Sequence, residues 1–172
     1  RYKRVDMKSR YEIGDINMLK VKSGQALLSG LGGAIGIFLL SVFTIGSNAP
    51  MLMAPFGASC VLLFSVPTSP LSQPKNVIGG HLVSSIVGVF FVSLGSSSPL
   101  FLALSVALAI TLMALLKVTH PPAGADPIVI LLGAKGISFL FFPVLSGSIL
   151  LVMVALIFHR LAGLHTYPTA NQ

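Results

Sequence analysis

Two long stretches without acidic or basic side chains constrain this chain most strongly. Residues 23–74 contain no Asp, Glu, Lys or Arg, and residues 76–116 contain His81 as their one ionisable side chain. A transmembrane helix needs about 20 apolar residues, so each stretch is too long for a single span. The composition agrees, because 54% of residues are hydrophobic and 9% are charged, outside the usual range of soluble domains. The sequence therefore predicts an all-α polytopic membrane protein.

The cationic residues lie at the ends of the apolar runs. The formal net charge is +7, and most Lys and Arg residues precede Ser23. This placement follows the positive-inside rule, so we expect residues 1–22 to form a polar cytoplasmic arm and do not expect nucleic-acid binding. Residues 23–163 then form a transmembrane domain, and residues 164–172 form a short, loosely held tail.

The apolar runs predict a bundle of four long transmembrane helices and two short, broken half-helices. The long helices are expected at residues 25–45, 77–94, 100–117 and 137–158, the last with a kink at Pro143. A short helix that starts near Pro55 reaches about 18 Å, against a hydrocarbon core of about 30 Å. A second short apolar piece follows Pro127. The spacing Gly32-x-x-x-Gly36 favours close helix packing, and the glycine-rich faces suggest a homo-oligomer.

An internal repeat appears when the chain is aligned with itself so that Pro55 falls on Pro122. This repeat alignment places residues 55–59 on residues 122–126 and Gly80 on Gly147, so that the repeats cover about residues 25–94 and 100–161. If each short segment crosses the membrane, all cations outside the arm except Lys135 lie on the cytoplasmic side. The positive-inside rule therefore favours crossing segments over re-entrant ones. Three crossings per half would make two inverted repeats, as in secondary transporters.

The two short segments also carry the candidate binding residues. Residues 119–127 place a histidine, an aspartate and three prolines between apolar runs. Free N–H groups at the start of a helix attract anions, so the two half-helix starts are predicted to hold an anion near the midplane. The candidates are Pro55, Gly57, Ala58, Ser59, His120, Gly124, Ala125 and Asp126.

Each ionisable candidate has two interpretations. His120 either donates to an anion or caps a neighbouring carbonyl group, and Asp126 either caps its helix or couples transport to protons. Lys75 and Asn76 either steer an anion or lie at the membrane interface, and Lys117 is expected at the interface. His81 is either part of the anion path or a packing residue.

Three further residues are expected to have structural roles. His159 and His165 are predicted to be surface residues. Cys60 is predicted to be a small core residue.

Three motifs in order resemble the HPP family of integral membrane proteins, named for its His-Pro-Pro motif. They are Ala54-Pro55-Phe56-Gly57-Ala58-Ser59, the segment from Ser69 to His81, and His120-Pro121-Pro122-Ala123-Gly124-Ala125. The resemblance implies four transmembrane helices and nitrite transport, which is assigned to members in cyanobacteria and chloroplasts. It also implies the bacterial plasma membrane, or the chloroplast envelope for a plant protein.

The expected function is thus transport of a small inorganic anion, nitrite in first place, by a protein that is not an enzyme and needs no cofactor. A passive anion channel is the main alternative, because the same electropositive helix starts would serve it. A metal-binding membrane enzyme is less favoured, since His81 and His120 are taken to lie far apart and no His-x-x-x-His or Cys pair is present. No P-loop or nucleophile elbow is present either.

Overall fold

The computed structural model describes residues 23–47, 51–163 and 167–169, and this part of the chain is helical without strands. The polar arm at residues 1–22 and His165 lie outside it. The helices are α1 (Ser23–Ser47), α2 (Pro55–Ser65), α3 (Pro74–Ser93), α4 (Pro99–Leu115), α5 (Asp126–Leu132) and α6 (Ser146–Ala162). Two 3-10 turns, Pro70–Ser72 and Pro121–Ala125, precede α3 and α5, and a π-helical segment, Leu140–Leu145, leads into α6.

Three apolar helices are long enough to cross a membrane: Ser23–Gly46, Pro74–Ser93 and Leu140–Ala162. The expected fourth long helix, over residues 100–117, is shorter than predicted. It is α4, with 17 residues. The chain turns there because Lys117 adopts a left-handed conformation with φ 56°. The kink predicted at Pro143 is confirmed, since Phe142 leaves helical geometry with φ −132° and ψ 112°.

Hydrogen bonds between segments show which helix ends lie together. The Ser29 hydroxyl near the start of α1 donates to the Phe64 carbonyl near the end of α2 (2.8 Å). The Asn76 amide at the start of α3 donates to the Thr119 carbonyl beyond α4 (2.9 Å). These contacts define one end of the bundle, which we call the cationic end because Lys75, Lys117 and Arg160 belong to its segments.

The opposite end is called here the Lys135 end. There the Met51 N–H donates to the Thr44 hydroxyl of α1 (2.9 Å), and the Ser146 hydroxyl donates to the Met51 sulfur (3.0 Å). Successive segments therefore run alternately between the two ends. This is the order expected if both short segments cross.

The C-terminal segment is bound rather than loose, contrary to the sequence prediction for its residues 167–169. The buried Tyr167 hydroxyl donates to the Ser72 carbonyl (3.0 Å), and the Thr169 N–H donates to the Gln73 side-chain oxygen (3.0 Å). Burial raises the pKa of Tyr167, which keeps the hydroxyl protonated as a donor. The segment therefore fastens the connector between α2 and α3.

His159 is a core residue, so the expectation of a surface position is wrong. Its ring is 1% exposed, and Nε2 hydrogen-bonds to the Leu63 carbonyl at 2.8 Å. It also stacks on Phe64 with ring centroids 6.0 Å apart. The imidazole thus satisfies a carbonyl group near the end of α2. Cys60 is buried, as predicted.

Two glycines make equivalent close contacts in the two halves. A Cβ atom at Gly80 would lie 2.9 Å from the Val118 carbonyl oxygen, and one at Gly147 would lie 3.0 Å from the Met51 carbonyl oxygen. The repeat alignment carries Gly80 onto Gly147 and Met51 onto Val118. Likewise α1 packs on α2 and α6, while α4 packs on α5 and α3. The internal repeat is thus visible in the contacts.

The predicted small-residue face of α1 packs within the chain. A Cβ atom at Gly32 would collide with the Phe64 ring, and one at Gly36 would lie 3.0 Å from the Leu151 side chain. These glycines let α2 and α6 approach α1 closely.

Candidate functional site

Four polar side chains meet in the interior of the bundle. Ser59 comes from α2, His81 from α3, His120 from the residue before the 3-10 turn, and Asp126 from the start of α5. All four are 0% exposed. Burying polar groups in an apolar interior is costly unless they are hydrogen-bonded, so their mutual contacts decide what the site can do.

The four side chains form one hydrogen-bonded chain, which we call the relay. Ser59 Oγ lies 2.8 Å from His81 Nε2 and 2.9 Å from His120 Nε2. His81 Nδ1 lies 2.8 Å from Asp126 Oδ2, which also accepts a bond from the Ser85 hydroxyl at 3.2 Å. The other carboxylate oxygen, Oδ1, is buried and has no hydrogen-bond partner among the described residues. The relay therefore has an unused acceptor at its Asp126 terminus.

Hydrogen-bond partners limit where the protons of the relay can lie. His120 Nδ1 is 2.8 Å from the Leu71 carbonyl oxygen, which only accepts, so Nδ1 carries a hydrogen. When His120 is neutral, its Nε2 accepts from the Ser59 hydroxyl, whose oxygen in turn accepts from His81 Nε2–H. His81 Nε2 then carries a hydrogen, and the proton shared by His81 Nδ1 and Asp126 Oδ2 lies on the carboxyl group in a neutral form of the pair and on the ring in an ion-paired form, which is the one followed below.

A second arrangement contains the same number of protons. The His81 Nε2 proton moves to the Ser59 oxygen while the Ser59 hydroxyl proton moves to His120 Nε2. The positive charge passes from His81 to His120. Every hydrogen bond is retained, and the two bonds at Ser59 reverse their direction. The geometry therefore allows one proton to pass between two imidazoles within the bundle.

The structure brings together the ionisable candidates that the sequence singled out. The assumption that His81 and His120 lie far apart is wrong, since their ring centroids are 5.0 Å apart. They meet because α3 carries His81 past the lead-in to α5, where Gly80 leaves room for the His120 side chain.

The N–H groups that were predicted to be free at the start of α2 are partly used in a turn. The Gly57 N–H donates to the Ala54 carbonyl at 3.1 Å, and Gly57 and Ala58 are exposed on the outer side of α2, although Pro55 is buried. The cause is a turn ahead of α2 that uses its first amides.

The start of α5 is arranged in a similar way. The 3-10 turn before it contains Gly124 and Ala125, which are half-buried, and the Ala123 N–H donates to the His120 carbonyl (3.0 Å). The Asp126 carboxylate makes no hydrogen bond to this helix start among the described residues, since Oδ1 has no partner and Oδ2 is bound elsewhere. Its carboxylate faces His81 and Ser85 instead.

The secondary candidates lie at the cationic end. Lys75 and Lys117 are exposed. The Asn76 side chain holds the Thr119 carbonyl, one residue before His120. It thereby helps to position the relay histidine.

Sequence reasoning missed Ser85 and the Leu71 carbonyl group. Ser85 lies four residues after His81 on the same face of α3, a spacing that brings side chains together. Ser84, on that face too, donates to the Ala123 carbonyl at 2.6 Å. Small hydroxyl residues next to a histidine in an apolar helix were the available signal. Leu71 left none, because it acts through its backbone.

Within the described ranges, no group of three or more His, Cys, Asp or Glu side chains is arranged to hold a metal ion.

Comparison with known families shows which family the chain belongs to. The profile of the HPP transmembrane region matches residues 18–168. The chain belongs to the HPP family. The resemblance noted in the three sequence motifs is therefore confirmed. The relay residues of this HPP protein all lie inside the matched region.

Two transmembrane proteins of Dictyostelium discoideum are similar to this HPP protein. One is 34% identical over 150 residues, covering 80% of this chain and 53% of the relative. The other is 37% identical over 152 residues, covering 81% of this chain and 49% of the relative. The chain thus spans about half the length of each relative. No solved structure matches it significantly.

Proposed function

We propose that this HPP protein moves a small inorganic anion, nitrite in first place, across a membrane together with a proton. The observation that carries the proposal is the buried relay of Ser59, His81, His120 and Asp126 inside an apolar bundle. Ionisable groups within transmembrane segments are costly and typically mark ion or proton pathways.

Charge balance explains why the anion and the proton travel together. With His120 neutral, the net charge of the relay is zero whether the proton between His81 and Asp126 lies on the ring or on the carboxyl group. An anion that enters this cluster would bring an uncompensated charge into a low-dielectric interior, which is strongly unfavourable. One additional proton leaves both imidazoles protonated and restores neutrality. The coupling expected from this balance is one proton per anion.

The repeat supports a transporter of the inverted-repeat class. Ser59 and Asp126 are equivalent in the repeat alignment, and both contact His81. The relay therefore lies where the two halves meet. In transporters with inverted repeats, the substrate site lies at this interface near the midplane. The alternating direction of the six segments fits that plan.

A passive anion channel is the alternative, and the burial of the relay argues against it. A channel conducts through a continuous wet path, whereas all four relay side chains are 0% exposed. A closed polar site that opens to one side at a time suits coupled transport better.

Nitrite uptake into proteoliposomes tests the proposal, measured with and without an inward proton gradient. Uptake should saturate and should increase with the gradient. Asp126→Asn should abolish the stimulation by the gradient, because the carboxylate that pairs with His81 is lost. Removing one partner of a buried ion pair should also cost about 3–5 kcal/mol of stability. His120→Ala should abolish the stimulation too, and Thr111→Ala, at an exposed site on α4, should match the wild type.

Each other outcome has a defined meaning. If Asp126→Asn and His120→Ala both leave uptake and its pH profile unchanged, the relay is not the coupling site. Wild-type uptake that ignores the gradient would identify a channel or uniporter. Absence of nitrite uptake would reject nitrite as the substrate.

A further inference from the structure

A cavity of about 320 Å³ opens at the Lys135 end of the bundle. Its walls include Met53, Val129, Ser138 and Phe139, and Lys135 lines it as well. Of the Lys and Arg side chains in the described part of the chain, Lys135 alone belongs to this end. The cavity is thus largely apolar but holds one positive charge.

The local turn holds Lys135 against the cavity. Its N–H donates to the Ile130 carbonyl (3.0 Å), and the preceding Ala134 has φ 44°. The Lys135 side chain lies across Gly133, where an added Cβ atom would be 2.7 Å from Lys135 Cε. The glycine therefore permits the lysine side chain to lie close to the backbone at the cavity.

The position of the cavity is related to the relay by the repeat. The repeat alignment carries Leu71 onto Ser138 and Met53 onto His120. At the cationic end, the carbonyl of Leu71 and the ring of His120 are joined by a hydrogen bond of 2.8 Å. At the Lys135 end, their counterparts Ser138 and Met53 both line the open cavity. The equivalent pair is thus joined at one end and lines a cavity at the other.

We propose that this cavity is the vestibule through which a small monovalent oxyanion reaches the relay, with Lys135 as the group that attracts it. The inference rests on the proposed anion transport. A cation in a cleft with low-dielectric walls raises the local concentration of anions. The Ser138 hydroxyl supplies a hydrogen-bond donor beside it. Buried Met53 forms the wall of the vestibule at the position equivalent to His120.

Transport kinetics give the first test. Lys135→Gln should raise the KM for nitrite about threefold without changing the maximal rate, because one charge in a water-filled pocket contributes weakly. Lys135→Arg should restore the wild-type KM. High salt should remove the difference between Lys135→Gln and the wild type. Arg160→Gln, an exposed charge removed at the other end, is the matched control. An unchanged KM in Lys135→Gln would overturn the proposal.

A second measurement does not depend on transport. In a Cys60→Ala background, Ser138→Cys places a thiol in the cavity, and its rates with anionic and cationic methanethiosulfonates are compared. Adding Lys135→Gln should lower the ratio of the anionic to the cationic rate about threefold. Adding Arg160→Gln should leave it unchanged. An unreactive thiol would overturn the vestibule. So would a ratio that is the same with and without Lys135→Gln. If Lys135→Gln lowers the ratio but the wild-type protein takes up no anion, the result supports the anion-attracting cavity and rejects the transport function.

Discussion

The two ends of this bundle are built from equivalent segments but differ in how their connectors are held. At the cationic end, the connector over residues 66–73 is fastened by Tyr167 from the C-terminal segment and by His120 from the relay. Its counterpart at the Lys135 end, residues 133–140, lies beside an open cavity. The comparison shows that a repeat can preserve the backbone plan while side chains bind the connector to the relay and to the C-terminal segment at one end only.

The chemical difference lies in one pair of residues. His120 can donate a hydrogen bond to a carbonyl group, whereas its counterpart Met53 has only a thioether, a weak acceptor. The polar relay therefore extends from the centre of the bundle toward the cationic end and stops before the Lys135 end. For a transporter, we expect opening of the cationic end to require breaking the bond between His120 and Leu71.

Ser59→Ala should have the largest effect, because Ser59 is the link between His81 and His120. Two imidazole nitrogens would lose their partner, at about 1–3 kcal/mol for each buried group. Gradient-stimulated nitrite uptake should disappear, since no hydroxyl remains to pass the proton. Thermal unfolding and uptake are both measured, with exposed Ser93→Ala as the control. Retained proton coupling in Ser59→Ala would contradict the relay.

Alanine at the two equivalent glycines should have the next largest effect. Gly80→Ala would place a Cβ atom 2.7 Å from His120 Cβ, and Gly147→Ala would collide with the Phe56 ring. Each substitution should destabilise the protein by about 1–3 kcal/mol through overpacking. Gly80→Ala should impair proton coupling more than Gly147→Ala, because it displaces relay residue His120 directly, whereas Gly147→Ala displaces Phe56, which packs against the His81 ring (centroids 5.1 Å apart).

Unfolding of these variants can be followed with a thiol-reactive fluorophore, since Cys60 is the single cysteine and is buried. Gly57→Ala is the matched control for stability, because its added Cβ atom would meet open space. Equal stability of all three glycine variants would refute the close packing at the two ends.

Tyr167→Phe should have the smallest effect, and it tests the fastening of the cationic end alone. It removes the hydroxyl that fastens the Ser72 carbonyl while keeping the ring in place. We expect a loss of about 1 kcal/mol of stability. A thiol introduced by Leu71→Cys in a Cys60→Ala background should become more reactive when Tyr167→Phe is added. A thiol introduced by Ser138→Cys should not respond, and an equal response at both ends would argue against a local fastening.

Much of the site was predictable, but its connections were not. Ser59, His120 and Asp126 stood out because polar residues at membrane depth are conspicuous among apolar neighbours. His81 was noticed but placed apart from His120. The Gly57 N–H was predicted to be free for an anion, but it donates to the Ala54 carbonyl in a turn ahead of α2. That turn is local, whereas the bonds that join Ser59 to His81 and to His120 depend on residues distant in sequence.

The sequence by itself determined that the chain is an apolar, all-helical membrane protein with two related halves and broken short segments. Composition, charge placement and proline positions act locally, so they can be interpreted without coordinates. Only the tertiary structure decided that Ser59 links two histidines, that Tyr167 fastens one end, and that a cavity remains beside Lys135. These features arise where helices cross, and crossing depends on how glycine and side-chain shapes fit together across the whole bundle.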